Sequence, residues 1–244
     1  MSGHSKWSTI KRKKAAADAA KGKVFTRIIK EITIAARDGG GDPDTNPRLR
    51  LAVQNAKSAN MPQENITRAI KKGTGELEGV KYEEIKYEAY APHGIAMLIE
   101  SVTDNRNRTV ADLRHLIGKK NGNLGESGSV AWMFERKGII MIQQSEKPED
   151  ELMEIILEAG ADDLKTEDEF YEVITSMENF EPVRKTIETS GIKIEEASLQ
   201  YIAKDLIKVE GKNAEEVMRC IEAVEDYEDV QNVYTNADII IEEQ

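Results

Sequence analysis

GIIMI at residues 138–142, a helical stretch at 152–159, ADDLK at 161–165, FYEVIT at 170–175, a second helical stretch at 183–189 and IEEASLQYIA at 194–203 follow one another closely. The short apolar or alternating runs read as strands, and the two stretches with apolar residues three or four apart read as helices. The order strand, helix, strand, strand, helix, strand is the split βαβ, or ferredoxin-like, pattern. Upstream, Ile85, Tyr87 and Ala89 alternate with charged residues, His93 and Gly94 mark a turn, and Ile95 to Val102 form a second run, which is a hairpin signal. Asp104 or Asn105 can cap a helix bearing Val110, Leu113, Leu116 and Ile117. The glycine-rich NGNLGESGS at 121–129 then leads to the strand-like VAWMF at 130–134. Downstream come DLIKVE at 205–210, a helix bearing Ala214, Val217, Met218, Ile221 and Val224, and a strand near Val230 to Tyr234. This tail has no hairpin of its own, so it is expected to complete the sheet begun near residue 80. The expected organisation is α+β with three domains: a basic helical domain at 1–75, a discontinuous α+β middle domain at 76–135 with 204–244, and an inserted acidic ferredoxin-like (βαββαβ) domain at 136–203.

Within the first 75 residues, Thr9 to Lys21 is rich in Ala and Lys with little large apolar content, so its helix propensity is high and its capacity to form a core low. Such a helix reads as an arm. Phe25, Ile28, Ile29, Ile32, Ala35 and Ala36 share one face of a helix over Val24 to Arg37, while Lys23, Arg27, Lys30 and Arg37 form a basic stripe expected to face outward. After the flexible GGGDPDTN, Asn46 caps and Pro47 opens a third helix with Leu49, Ala52, Val53 and Ala56 inward. Pro62 opens a fourth, with Ile66, Ala69 and Ile70 packing and Lys71, Lys72 and Gly73 at its end. TGELEG at 74–79 reads as a linker.

The net charge of −11 over 244 residues conceals a division of sign. Residues 1–75 hold 16 Lys and Arg against 6 Asp and Glu, whereas residues 76–244 hold 18 against 39. A polyanionic partner is therefore expected at one end of the molecule, the rest of its surface repelling it. The single cysteine, Cys220, excludes an internal disulfide and a thiolate metal cluster, and its position beside an apolar helical stripe suits a buried thiol. No run approaches the ~20 apolar residues of a spanning helix, and the basic N-terminus lacks the apolar stretch of a secretory signal. The expected location is the cytoplasm, with no membrane partner.

The strongest local feature is GHSKWSTIKRKK, where Lys6, Lys11, Arg12, Lys13 and Lys14 surround His4 and Trp7. Lysines neutralise phosphates and release counterions, and an indole or imidazole stacks on an unpaired base. Trp7 also fits a hydrophobic staple. Lys21 and the stripe Lys23, Arg27 and Lys30 extend the basic surface. Arg48 and Arg50 lie in a first helical turn, where the dipole disfavours cations unless an anion is near. Arg106 and Arg108 repeat that placement, though an i,i+4 pair with Asp112 also accounts for Arg108. These fifteen positions are the candidate nucleic-acid contacts. Enzyme signals fail on specific requirements. His4, His93 and His115 have no metal-ligand spacing, LGESGS has Ser129 where a nucleophile elbow needs glycine, and Gly39 to Gly41 lack the Gly-Lys-Ser/Thr ending of a phosphate loop. No cofactor motif is present.

GHSKW at 3–7, IKRKK at 10–14, GKVFTRIIKEI at 22–32, GGGDPDTNPRLRLA at 39–52, NMPQENITRAIKKGTGE at 60–76, DNRNRT at 104–109 and NLGESGSVAWMFERKG at 123–138 resemble the YebC/PmpR family along the whole chain. The resemblance implies a three-domain α+β protein, cytosolic in bacteria and without catalytic activity. It further implies a DNA-binding transcriptional regulator or, alternatively, a ribosome-associated translation factor. In the second role the chain would bind ribosomal RNA through the basic arm and relieve stalled synthesis of difficult sequences such as proline runs. The partner is then DNA or ribosomal RNA, with the ribosome itself in the second case; oligomeric state does not follow.

Overall fold

A computed structural model describes residues 19–240 apart from Asp168. Helix α1 (Ala19–Gly39) runs through Gly22 without a break, so the last residues of the expected arm helix belong to the helix that follows. Its stripe of Phe25, Ile28, Ile29, Ile32, Ala35 and Ala36 packs with Leu49, Ala52, Val53 and Ala56 of α2 (Pro47–Ser58) and Ile66 and Ala69 of α3 (Gln63–Thr74). Asn46 caps α2 as expected, accepting from Leu49 N at 3.1 Å, and its amide also donates to the carbonyls of Ala35 and Gly40. The end of α3 differs from expectation. Gly73 lies inside the helix, and Gly75, at φ 82°, ends it.

A Cβ at Gly73 would stand 2.4 Å from the Thr33 carbonyl and 2.8 Å from Ala36 Cβ, so this glycine permits the close crossing of α1 and α3. Gly73→Ala is expected to lower stability by about 1–3 kcal/mol through overpacking against backbone that cannot yield. Gly22→Ala, where a Cβ meets open space, is expected to raise it by up to about 1 kcal/mol. Urea midpoints of the two variants measure the contrast.

The expected hairpin forms: β1 (Glu83–Tyr90) pairs antiparallel with β2 (Ala96–Thr103), and His93 and Gly94 in the turn take positive φ. Asn105 rather than Asp104 caps α4 (Arg106–Lys119), accepting from Arg108 N at 3.1 Å. A two-residue β3 (Asn123–Leu124) adds to the edge of β1. The stretch VAWMF is only partly strand, because Ala131–Met133 form a 3-10 turn before β4 (Phe134–Gln143) begins. The backbone N–H groups of Val130 and Ala131 donate to the Glu88 carboxylate and so are not available to a ladder.

From β4 the chain continues through α5 (Glu149–Glu158), β5 (Asp163–Glu167), β6 (Phe170–Thr175), α6 (Phe180–Thr189) and β7 (Ile194–Ala203). The sheet order β5-β6-β4-β7, all antiparallel, is the ferredoxin-like arrangement. Leu152 and Ile156 of α5 and Phe180, Val183 and Ile187 of α6 cover one face of it. The expected division at 135/136 falls within β4, whose first residue, Phe134, packs with Ala96, Leu98 and Tyr234 of the neighbouring sheet.

The tail comprises β8 (Ile207–Glu210), α7 (Gly211–Glu225), β9 (Val230–Thr235) and β10 (Ala237–Ile240). As expected, it returns to the first sheet, with β9 joining β2 to give the order β3-β1-β2-β9. β8 does not join that sheet but pairs in parallel with β10, a strand that sequence periodicity did not mark. The apolar residues of β2 serve two cores, Met97 and Ile99 packing under α4 and α7 and Ala96 and Leu98 on the opposite face. Cys220 is fully buried in the first of these, and burial pushes its thiol up to about 11. The chain is therefore α+β, with seven helices among the described residues, and among these no helix is long and apolar enough to cross a membrane.

Candidate nucleic-acid interface

His4, Lys6, Trp7, Lys11, Arg12, Lys13 and Lys14 lie outside the described residues, as does the Lys21 side chain. The remaining candidates have definite surroundings, and most of their charge is matched within the chain. The stripe Lys23, Arg27, Lys30 and Arg37 faces outward only in part: Lys23 and Arg37 are exposed as expected, Arg27 is half-buried and Lys30 is buried. It runs against the C-terminal end of α7 and the turn after it, where Lys23 Nζ is 2.9 Å from Asp226 Oδ1 and Arg27 donates to the Glu225 carbonyl. Arg37 donates to the Tyr82 carbonyl and to Asp38. The last turn of α7 has no basic residue of its own. A helix C-terminus concentrates unpaired carbonyls and negative partial charge, which these cations satisfy from another part of the chain.

Lys30 is the clearest correction. Its side chain is buried, and Nζ donates at 3.0 Å to the Val102 carbonyl, the Glu228 carbonyl and Asp229 Oδ1, which uses all three ammonium hydrogens. A phosphate would find no donor there in this arrangement. Asp229 also accepts from Arg108 Nη2 at 2.8 Å, Thr109 Oγ1 at 2.9 Å and Thr103 Oγ1 at 3.1 Å. Burial alone would raise its carboxyl, but the donations from Arg108, Lys30 and Thr109 outweigh burial and hold it below the usual carboxylate range. A sequence signal for the burial of Lys30 exists in Ile34, which lies on the same side of the helix and is fully buried.

Three of the four cations in first helical turns, Arg48, Arg50 and Arg108, are likewise answered from within. Arg48 chelates Glu31, with Nε at 2.8 Å and Nη2 at 3.1 Å, and also pairs with Glu84 of β1. Arg50 donates to the carbonyls of Pro43 and Asp44, both at 2.9 Å, bracing the preceding loop. Arg108 pairs with Asp104 and Asp229 rather than Asp112, which accepts instead from the Tyr227 hydroxyl at 2.7 Å. Arg106 is exposed and makes no hydrogen bond or ion pair among the described residues.

A cleft of about 970 Å³ opens where α1 and α2 meet the two sheets. Its walls mix Arg27, Arg48, Lys86 and Arg136 with five glutamates, so it offers no uniformly positive channel. Glu31 and Glu84 hold Arg48, Glu100 accepts from Asn232 and Tyr234, and Glu181 pairs with Arg184. The carboxylates tie elements together instead of converging on one reacting point. Among the described residues no group of three His, Cys, Asp or Glu side chains is placed to hold a metal ion. LGESGS forms a turn around Glu88, whose carboxylate accepts from Gly128 N, Val130 N and Ala131 N at 2.6, 2.6 and 2.8 Å. That turn presents Trp132, 64% exposed, which the sequence reading passed over as part of a strand.

The helical unit and the sheet-bearing remainder of the chain each match a family model. A family model described as the TACO1/YebC protein N-terminal domain matches residues 5–76, and one described as the TACO1/YebC second and third domain matches residues 82–237. The chain belongs to the TACO1/YebC family. Among the curated YebC-family relatives, a "probable transcriptional regulatory protein" of Desulfatibacillum aliphaticivorans is 57% identical over 239 residues, 98% of this chain and 97% of the relative. One with the same description from Geobacter sulfurreducens is 56% identical over 243 residues, 100% of this chain and 98% of the relative. The crystal structure of a conserved hypothetical protein from Aquifex aeolicus superposes with a TM-score of 0.87 at 44% identity, covering 94% of this chain and 95% of that one. The family resemblance and the α+β architecture expected from the sequence therefore both hold.

Proposed function

We propose that this protein is a non-enzymatic regulator of gene expression that binds nucleic acid through its basic N-terminal segment, acting in the cytoplasm. The observation that carries the reading is the charge division once internal pairing is subtracted. With Lys23, Lys30 and Arg48 matched by Asp226, Asp229, Glu31 and Glu84, thirteen of the sixteen Lys and Arg of residues 1–75 remain, and Lys6, Lys11, Arg12, Lys13 and Lys14 are their densest run. Those five cations interleave with His4 and Trp7, a composition suited to phosphates and unpaired bases. The regulator label of the relatives supports a DNA target.

A second reading, ribosomal RNA as the target, has one observation in its favour. In a helix-turn-helix both helices meet the duplex, yet α2 is partly covered: Leu51 packs against the ferredoxin-like core and Gln54 accepts from Arg184 at 3.1 Å. An irregular RNA surface does not demand that helix pair. The test is ribosome co-sedimentation beside duplex DNA binding over a salt series, with wild type and Lys11→Glu/Arg12→Glu/Lys13→Glu. The triple variant is expected to lose binding, its dependence of log K on log salt shallower by about 2 to 3 for the three lost phosphate contacts. Undiminished affinity in that variant would sink the proposal. Saturable ribosome binding with weak duplex binding selects the second reading, and tight sequence-dependent duplex binding selects the first.

A further inference from the structure

Helix α4 reverses the charge of the body that carries it. Between Arg106 and Lys120 stand five Lys and Arg against one acid, Asp112, within a region that otherwise holds more than twice as many acids as bases. Burial fixes which way they point. Thr109, Leu113 and Ile117, four residues apart, are fully buried, so one side of α4 faces the core. The opposite side carries Ala111, Arg114, His115, Gly118 and Lys119, all exposed. Arg114, His115 and Lys119 make no hydrogen bond or ion pair among the described residues, in contrast to Arg108 on the flank, which Asp104 and Asp229 neutralise.

Gly118 is a second and independent observation. Glycine inside a helix is destabilising relative to alanine, and here a Cβ would meet nothing within 4 Å, so packing within the chain does not require it. At 3.6 residues per turn, Gly118 and Ala111 form a bare strip with Arg114 along one side and His115 and Lys119 along the other. A sugar-phosphate backbone could lie along that strip in contact with the helix surface and reach cations on both sides.

We infer that the exposed face of α4 is a second phosphate-backbone contact for nucleic acid, Arg114 and Lys119 supplying the charge and Gly118 the close approach. This rests on the nucleic-acid reading above and adds to the N-terminal segment a contact on the acidic body. The chemistry is sequence-independent, so this face sets position and affinity and not base preference.

The test uses the full chain with its N-terminal segment intact, as wild type, Arg114→Gln/Lys119→Gln and Gly118→Leu, titrated with a labelled single-stranded RNA and a duplex DNA over a salt series. Loss of two phosphate contacts makes the slope of log K against log salt shallower by about 1.4 to 1.8 in the double variant. Gly118→Leu keeps every charge and is expected to weaken binding several-fold without lowering the melting midpoint, a result that a merely structural glycine would not produce. An unchanged slope in the double variant, with wild type binding normally, overturns the α4 contact and leaves the N-terminal reading standing. Absence of binding by wild type overturns both. A self-association of wild type that the double variant loses while its slope stays unchanged would identify the face as a contact between copies, and would also overturn the inference.

Discussion

Asp229→Ala is expected to destabilise the protein by about 3–5 kcal/mol, the cost of leaving a buried charge without its partner. The Asp229 side chain is 4% exposed and that of Lys30 7%, and they stand 3.0 Å apart. Removing the carboxylate strands the Lys30 ammonium and also deprives Arg108, Thr103 and Thr109 of an acceptor. Lys30→Met is expected to cost less, since Asp229 keeps those three donors. The ordering of the two variants in urea unfolding tests whether Asp229 is the hub. Amide exchange over residues 23–37 is expected to accelerate in Asp229→Ala, because the network is what fastens α1 to the body. A pH dependence follows from the depressed carboxyl. Its contribution to stability is fully present above the unfolded-state value and is lost as pH falls through the lower folded value. Asp229→Asn is expected to flatten this acid limb, and an unchanged limb would exclude the group as its source.

Glu88→Ala is expected to cost about 3 kcal/mol and to loosen the turn that carries Trp132, since a buried donor left without its acceptor costs roughly 1–3 kcal/mol and three donors are involved. The carboxylate is buried, and its two oxygens collect Gly128 N, Val130 N and Ala131 N into one small nest. Burial alone would raise the carboxyl, but the three N–H groups outweigh it and hold it below its ordinary range. This turn is therefore also weakened as pH falls through that lowered value. Glu88→Gln, which keeps one acceptor oxygen and brings an amide that cannot accept, is expected to fall between wild type and alanine. Trp132 fluorescence in a Trp7→Phe background reads the turn directly. A Glu88→Ala protein with native emission and native stability would show that the nest closes without the carboxylate.

Much of the fold was legible because it is local. The period of Phe25, Ile28, Ile29 and Ile32 marks the inner face of α1, the alternation of Ile85, Tyr87 and Ala89 marks β1, and the element order after residue 138 leads to the ferredoxin-like sheet. The misreadings share a cause. VAWMF has strand composition, yet Glu88, some forty residues away, takes its amides; Gly73 looks like a helix end, yet it serves a crossing with α1. Both are decided by a partner distant in sequence.

The same division applies to the candidate interface. The sequence by itself determined the family, the class of fold, the return of the tail to the first sheet and the concentration of positive charge in residues 1–75, because composition, period and motif are properties of neighbouring residues. Which cations remain available to a partner was decided by tertiary structure. Lys30 and Asp229 are 199 positions apart, and no local pattern announces that they meet. Burial makes such a meeting necessary once α1 docks, since an ammonium removed from water must find acceptors inside the protein. Folding thus turned the most regular basic stripe of the sequence into a fastening between units and left Arg114 and Lys119 of α4, within an acidic stretch of chain, facing solvent.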